Sequence, residues 1–200
     1  TKLEQPKLVN IENDYYYVSF FIRMLYSCLV DADFLDTEAF MLEGEQHRGN
    51  FLDVVGLYNK YCRYIKKFSA NNSRINKKRS EILGECLLKA DNIPGIYTLT
   101  VPTGGGKTIA SLGFALKHAA KYGKKRIIYV IPYTSIIEQT ADVFREILGD
   151  ENVVEHHANV DYAENEQEDF NRYKLATENW DATVIVTTNV QFFESIYANR

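Results

Sequence analysis

At 200 residues the chain has room for one ordinary domain or a little more, and its 46% hydrophobic and 25% charged composition is that of a soluble globular protein with a sizeable core. A formal net charge of -4 excludes a protein coated in positive charge, while leaving room for a local basic track. Three cysteines, Cys28, Cys62 and Cys86, are odd in number and far apart, which excludes a disulfide framework or a zinc pattern and makes a reducing cytoplasm the default.

No stretch approaches a membrane span, because the most apolar N-terminal run is broken by Arg23. The start is not a signal peptide. It lacks an initiator methionine, and Asn199-Arg200 follow a helical pattern directly, so both ends are expected to be cuts within a longer protein.

The first region, Tyr15 to Met41, places Phe20, Phe21, Met24, Leu25, Cys28 and Leu29 at helical spacing, which predicts an amphipathic helix with a buried stripe. Asp36 and Thr37 read as start signals for a further short helix. The second region, Gly44 to Leu88, is helical and polar. From Lys60 to Arg79 it is basic without an acidic residue, with Tyr58, Tyr61, Tyr64 and Phe68 interleaved, and Asn71-Asn72-Ser73 predicts a turn. That stretch has two readings: a track for a nucleic-acid backbone with tyrosines for stacking, or a solvated linker helix with its tyrosines packed inward.

The third region, from Pro94, alternates strand and helix. Strands are predicted at Ile96–Val101, Arg126–Ile131, Val153–His156 and Val184–Thr188, with helices at Lys107–Tyr122, Thr134–Leu148 and Gln191–Ala198. Short apolar strands alternating with helices mean a parallel sheet with helical crossovers, an α/β fold. The acidic stretch from Asp161 to Asp181 lacks periodicity and reads as a surface insertion.

Thr103-Gly104-Gly105-Gly106-Lys107-Thr108 lies between a predicted strand and a predicted helix, the context a phosphate-binding P-loop requires. Glycines let backbone N–H groups curl around phosphate oxygens, and the helix N-terminus adds partial positive charge. Lys107 can reach the β and γ phosphates and Thr108 can hold Mg2+. The position of the motif's leading glycine is Val101 here. The competing reading is a glycine-rich turn that binds no nucleotide.

After the second strand, Pro132-Tyr133-Thr134-Ser135-Ile136-Ile137-Glu138-Gln139 resembles superfamily 2 helicase motif Ia, with proline and glutamine at the same separation. In that family the motif holds the nucleic-acid backbone, and hydroxyls at a helix start suit phosphates. Thr187-Thr188-Asn189 again puts hydroxyls at a strand end. Ordinary helix capping by Thr and Ser is the alternative for both.

Three segments narrow the family: Tyr97 to Thr108 continuing through Ser111 to Ala119, Thr187 to Ser195, and Arg23 to Asp33. Together they resemble the CRISPR-associated helicase–nuclease of type I systems. That resemblance implies the end of an HD nuclease domain over residues 1–43, a helical linker over 44–88, and an incomplete first RecA-like helicase domain over 89–200. It implies ATP and Mg2+ at Thr103, Gly104, Gly105, Gly106, Lys107 and Thr108, with Lys107 and Thr108 catalytic. It implies single-stranded DNA at Pro132, Thr134, Ser135, Gln139, Thr187, Thr188 and Asn189, and recruitment to an RNA-guided surveillance complex.

Asp33, with Asp31 as second candidate, matches the family's last metal-binding aspartate, for a divalent transition metal. From the residues alone, a helix-end cap or salt bridge is favoured over a metal ligand for these carboxylates. His156 and His157 are expected to be structural. No acidic box follows Thr188 and no second motor domain is present, so residues 1–200 alone are expected to bind nucleotide weakly and not to turn it over. A different superfamily 2 translocase, such as a restriction-enzyme motor, and a non-catalytic nucleotide-binding scaffold are the alternatives.

Overall fold

The computed structural model describes residues 15–41, 51–67, 73–157 and 180–197. They fall into two compact units, one reaching to Gln46 and resuming at Phe192, the other running from His47 to Gln191.

In the first unit, α1 (Tyr15–Met41) is a single helix. Its apolar stripe is not buried, contrary to the periodicity: Phe20, Phe21, Leu25 and Leu29 are exposed, as is Cys28. A helical stripe is buried only when another surface faces it. Within this unit one partner is Tyr197, whose ring meets Phe20 edge-on at 6.2 Å and lies 5.6 Å from the Arg23 guanidinium. Asp36 and Thr37 do not open a new helix. The Thr37 hydroxyl donates to the Asp33 carbonyl at 2.9 Å, the bond a threonine makes when a helix runs through it.

The second unit contains α2 (Val54–Lys66), α3 (Arg74–Lys89), α4 (Lys107–Lys121), β1 (Ile127–Ile131), α5 (Thr134–Leu148), a 3-10 turn (Asp150–Asn152), β2 (Val153–His156) and β3 (Val184–Thr188), with α6 (Asn189–Ile196) beginning there. The strands are parallel in the order β1-β3-β2, with Ile127 beside Val184 and Val153 beside Val184. Central β3 is buried over Val184, Ile185, Val186 and Thr187, as the middle strand of a covered parallel sheet must be. The α/β class with a preceding helical segment is therefore what the described residues form.

The core joins Ile137, Phe144 and Leu148 of α5, Leu112 and Leu116 of α4, and Val153, Val184 and Val186 of the sheet. Leu57 and Tyr61 of α2 complete it, both fully buried. Tyr58 and Tyr64 pack against the same core, and Lys60 Nζ donates to the Leu148 carbonyl at 2.7 Å and pairs with Glu151 at 3.0 Å. The tyrosines of the basic stretch thus face inward, and one of its cations satisfies the C-terminus of α5. Ser73 is the N-cap of α3, its side chain accepting from the Asn76 N–H; Asn71 and Asn72 lie outside the described residues. So does most of the acidic stretch from Asp161, up to residue 179.

One expected strand is absent. Residues 96–101 pair with none of the strands among the described residues, and Ile96 is 98% exposed. Extended backbone becomes a strand only when a neighbour takes up its N–H and C=O groups. The last helix starts two residues earlier than the apolar spacing predicts, because Thr188 Oγ1 accepts from the Gln191 N–H and so caps it. Among the described residues no helix is long and apolar enough to cross a membrane.

Candidate nucleotide-phosphate site

The glycine loop leads directly into α4. The Gly105 N–H donates to the Pro102 carbonyl at 3.0 Å, closing a turn over Thr103 and Gly104. Gly104 and Gly106 stand at φ +80° and +81°, the left-handed region that a side chain disfavours. Gly105 is glycine for a different reason. A Cβ there would lie 2.3 Å from Val101 Cγ1 and 3.0 Å from the Pro102 carbonyl oxygen.

The start of α4 offers backbone donors. Its N-cap, Gly106, supplies no side-chain hydrogen bond, and the first intrahelical bond runs from the Ala110 N–H to the Gly106 carbonyl. The N–H groups of Lys107, Thr108 and Ile109 therefore lack intrahelical acceptors. Lys107 is exposed beside them and Thr108 is half-buried. No acidic residue occupies the first turn to offset the helix's positive end. This donor set fits a polyphosphate with its magnesium ion, with the left-handed glycines opening the backbone to close approach.

Behind the loop, α4 is held at three places. Ser111 Oγ donates to the Thr108 carbonyl at 3.1 Å and accepts from the Tyr129 hydroxyl at 3.2 Å. Burial pushes the Tyr129 phenol above its ordinary value, so it remains a neutral donor. The Tyr61 hydroxyl donates to the Ile109 carbonyl at 2.9 Å. At the far end, Lys117 Nζ reaches Asp91 at 2.7 Å and the Leu87 carbonyl at 2.9 Å.

The candidate nucleic-acid residues lie at the carboxyl edge of the sheet. Register sets Ile131 of β1 beside Thr188 of β3, so the two stretches distant in sequence leave from adjacent strand ends. Pro132, Ser135, Gln139 and Asn189 are exposed; Thr134 and Thr188 are half-buried. The Thr188 hydroxyl is engaged as the cap of α6. Thr187 is fully buried, and its hydroxyl donates to the His156 carbonyl at 2.7 Å, tying β3 to β2.

The histidines at the end of β2 have protein partners. His156 Nδ1 accepts from Trp180 Nε1 at 2.8 Å. His157 Nε2 lies 2.8 Å from Glu155, whose other oxygen accepts from Arg145 at 3.0 Å.

Asp31 is half-buried and Asp33 exposed on α1. Among the described residues no group of three or more His, Cys, Asp or Glu side chains could hold a metal ion. Two carboxylates alone do not make a metal site.

Two contacts have no sign in the sequence. Arg79 belongs to the basic run, but its Nε donates to the Gly104 carbonyl at 2.9 Å. Val101 departs from the motif, and its Cγ1 stands where a side chain on residue 105 would go. The first depends on packing between separate segments and the second on the fold of the loop over Val101 to Gly105, and neither is visible in residue types alone.

A family model described as DEAD/DEAH box helicase matches residues 79–200. The CRISPR-associated nuclease/helicase Cas3 of Haloferax volcanii is 34% identical over an alignment of 151 residues that covers 63% of this chain and 16% of that protein. The chain thus spans about a sixth of the length of the curated relative it matches.

Proposed function

The chain belongs to the DEAD/DEAH box helicase family, and from that premise we propose that it is part of an ATP-dependent DNA helicase with an associated metal-dependent nuclease, which unwinds and degrades invading DNA in CRISPR interference. The observation that carries the motor reading is the glycine loop running into a helix N-terminus without a side-chain cap, with Lys107 exposed beside it. The similarity to a nuclease/helicase named for a CRISPR system supports the antiviral setting.

In this reading Lys107 holds the β and γ phosphates and Thr108 Oγ1 holds Mg2+, while backbone N–H groups at the start of α4 fix the phosphate chain. ATP supplies the hydrolysable bond. A single-stranded DNA backbone crosses the carboxyl edge of the sheet, where Thr134, Ser135, Gln139 and Asn189 present donors to its phosphates. Pro132 sets the exit of β1 toward α5, and behind that surface the Thr187 hydroxyl ties β3 to β2 while the Thr188 hydroxyl caps α6. Asp33 and Asp31 belong to a nuclease site for a divalent transition metal that further ligands complete. Residues 1–43 then end an HD domain, 44–88 connect, and 89–200 begin the RecA-like motor; an RNA-guided surveillance complex recruits the whole protein in the cytoplasm.

The test is Lys107→Ala in the full-length protein. DNA-stimulated ATP hydrolysis is expected to disappear while folding is kept. Full turnover by that variant would overturn the motor assignment.

A further inference from the structure

The phosphate loop is gripped from outside by a helix that precedes it in sequence. α3 packs against α4, and its far end is fixed there by Lys117 Nζ on the Leu87 carbonyl and by His118 Nδ1, 2.9 Å from the Ala90 carbonyl. One face of α3 therefore meets the glycine turn at a set height. Arg79 and Ile82, three residues apart on that face, both reach it. Ile82 Cδ1 lies 3.7 Å from where a Cβ on Gly105 would be, and the Arg79 methylenes lie 3.5–3.9 Å from the same point on Gly106. Beyond those methylenes, Arg79 Nε donates to the Gly104 carbonyl at 2.9 Å, and Nη1 is 3.4 Å from the Asn76 side-chain oxygen.

We propose that Arg79 is a positioning residue for nucleotide binding, holding the Gly104 carbonyl outward so that the glycine turn is preformed for phosphate. The inference rests on the ATP-binding reading above and deepens it. Its physical basis is the left-handed Gly104 peptide. A glycine at φ +80° has no side chain to restrict it and can leave that conformation readily. A charge-assisted hydrogen bond to its carbonyl removes that freedom. Asn76, one helical turn earlier, keeps the guanidinium plane aimed at the loop. A loop already ordered before the ligand arrives binds more tightly, because less ordering is required on binding. After phosphate has bound, its own contacts order the turn. Loss of Arg79 is therefore felt in affinity and little in the chemical step.

The experiment compares Arg79→Ala, Arg79→Gln and Lys107→Ala with the unsubstituted full-length protein, using N-methylanthraniloyl-ATP with Mg2+ for binding and DNA-stimulated hydrolysis for kcat and KM. For Arg79→Ala, nucleotide Kd and KM are expected to rise about tenfold with kcat changed less than about twofold. Arg79→Gln, which keeps an N–H donor at similar reach without the charge, should recover most of the lost affinity. Arg79→Ala affinity within about twofold of the unsubstituted protein, while Lys107→Ala loses function, would overturn the role of Arg79 and leave the motor reading standing. Equal losses in Arg79→Gln and Arg79→Ala would overturn the hydrogen-bond account. Failure of the unsubstituted protein to bind nucleotide would overturn both. If Arg79→Ala does not fold, Asn76→Ala carries the test, with a smaller rise in Kd expected and an unchanged Kd counting against the proposal.

Discussion

The Tyr61 hydroxyl and Gly113 occupy one another's only available space: a Cβ on Gly113 would lie 2.3 Å from that oxygen and 2.6 Å from Cζ. The contact joins α2 to the middle of α4, one turn after the Ile109 carbonyl that accepts the same hydroxyl. Through it a helix early in the chain sets the height of the helix that begins at the phosphate loop.

Gly113→Ala is therefore expected to destabilise the protein although alanine favours helices, because the methyl group has no room and overpacking costs about 1–3 kcal/mol. Tyr61→Phe should cost about 1 kcal/mol, the typical net worth of one hydrogen bond. Gly113→Ala should be less damaging beside Tyr61→Leu, which vacates the ring's outer end. A double-mutant cycle read by urea denaturation measures that coupling, and strictly additive effects would show that the two sites do not share space.

A similar exclusion governs the loop itself. Val101 Cγ1 stands where a side chain on residue 105 would go, so Val101 and Gly105 are expected to vary together. Gly105→Ser alone should weaken nucleotide binding by distorting the turn. Val101→Ala with Gly105→Ser should restore much of it, leaving only the 3.0 Å approach to the Pro102 carbonyl to be relieved. Nucleotide affinity of the two variants decides the point; a double variant no better than the single one would show that Pro102, not Val101, sets the limit.

These contacts mark where the sequence stops being legible. β2, β3 and α5 appear with the residues that local patterning predicts, because an apolar run bounded by polar turns carries its own signal. The glycine turn that leads into α4 is legible for the same reason, since Gly104, Gly105, Gly106, Lys107 and Thr108 are consecutive. Residues 96–101 have the composition of a strand, but ladder pairing depends on a neighbour that composition cannot specify. The exposed stripe of α1 makes the same point for a helix, where Leu29 is 69% exposed. The basic stretch leaves two readings open for its tyrosines, and the space that admits Tyr61 is left by Gly113 on another helix. Arg79 shows the reverse case: a charge that reads as part of a solvated run is committed to a carbonyl.

Acidification should loosen the junction between α3 and α4. The Asp91 carboxyl is held below the ordinary value of 3.8, first by its hydrogen bond from Lys117 and then by the charges of Lys117 and Lys121. Its folded pKa lies below its unfolded one. Its contribution is therefore complete above the unfolded value and is lost as pH falls through the folded one. Asp91→Asn should give a lower melting temperature near neutral pH and a smaller fall between about pH 5 and pH 2. Because the group is exposed, added salt should shrink the difference. Parallel melting curves for the two proteins across that range would remove Asp91 from the acid response.

Asn152 offers the sharpest test of how the segment before α2 is fastened to the sheet. Its side chain is fully buried; Nδ2 donates to the Leu148 carbonyl at 2.9 Å and Oδ1 accepts from the Leu52 N–H at 2.9 Å. The Leu52 carbonyl is taken up separately by the Thr183 hydroxyl at 2.6 Å. Both backbone groups of one extended residue are thus satisfied by side chains from β2's approach and β3's approach. Asn152→Ala strips the Leu52 N–H and the Leu148 carbonyl of a partner each, although Lys60 still serves the latter at 2.7 Å. Leu52 is 39% exposed and its N–H only partly buried, so water can take over part of the lost bond and a loss of about 1 kcal/mol is expected. Asn152→Asp should be at least as damaging: the carboxylate can accept from Leu52 but not donate to Leu148, and it faces Glu151, whose oxygen lies 2.6 Å from the native amide. Thr183→Val should cost less, and its effect should fall when Asn152 is already alanine, because both act on Leu52. Hydrogen exchange at the Leu52 amide reads this directly: protection should vanish in Asn152→Ala and persist in Thr183→Val, and persistence in both would place the fastening elsewhere.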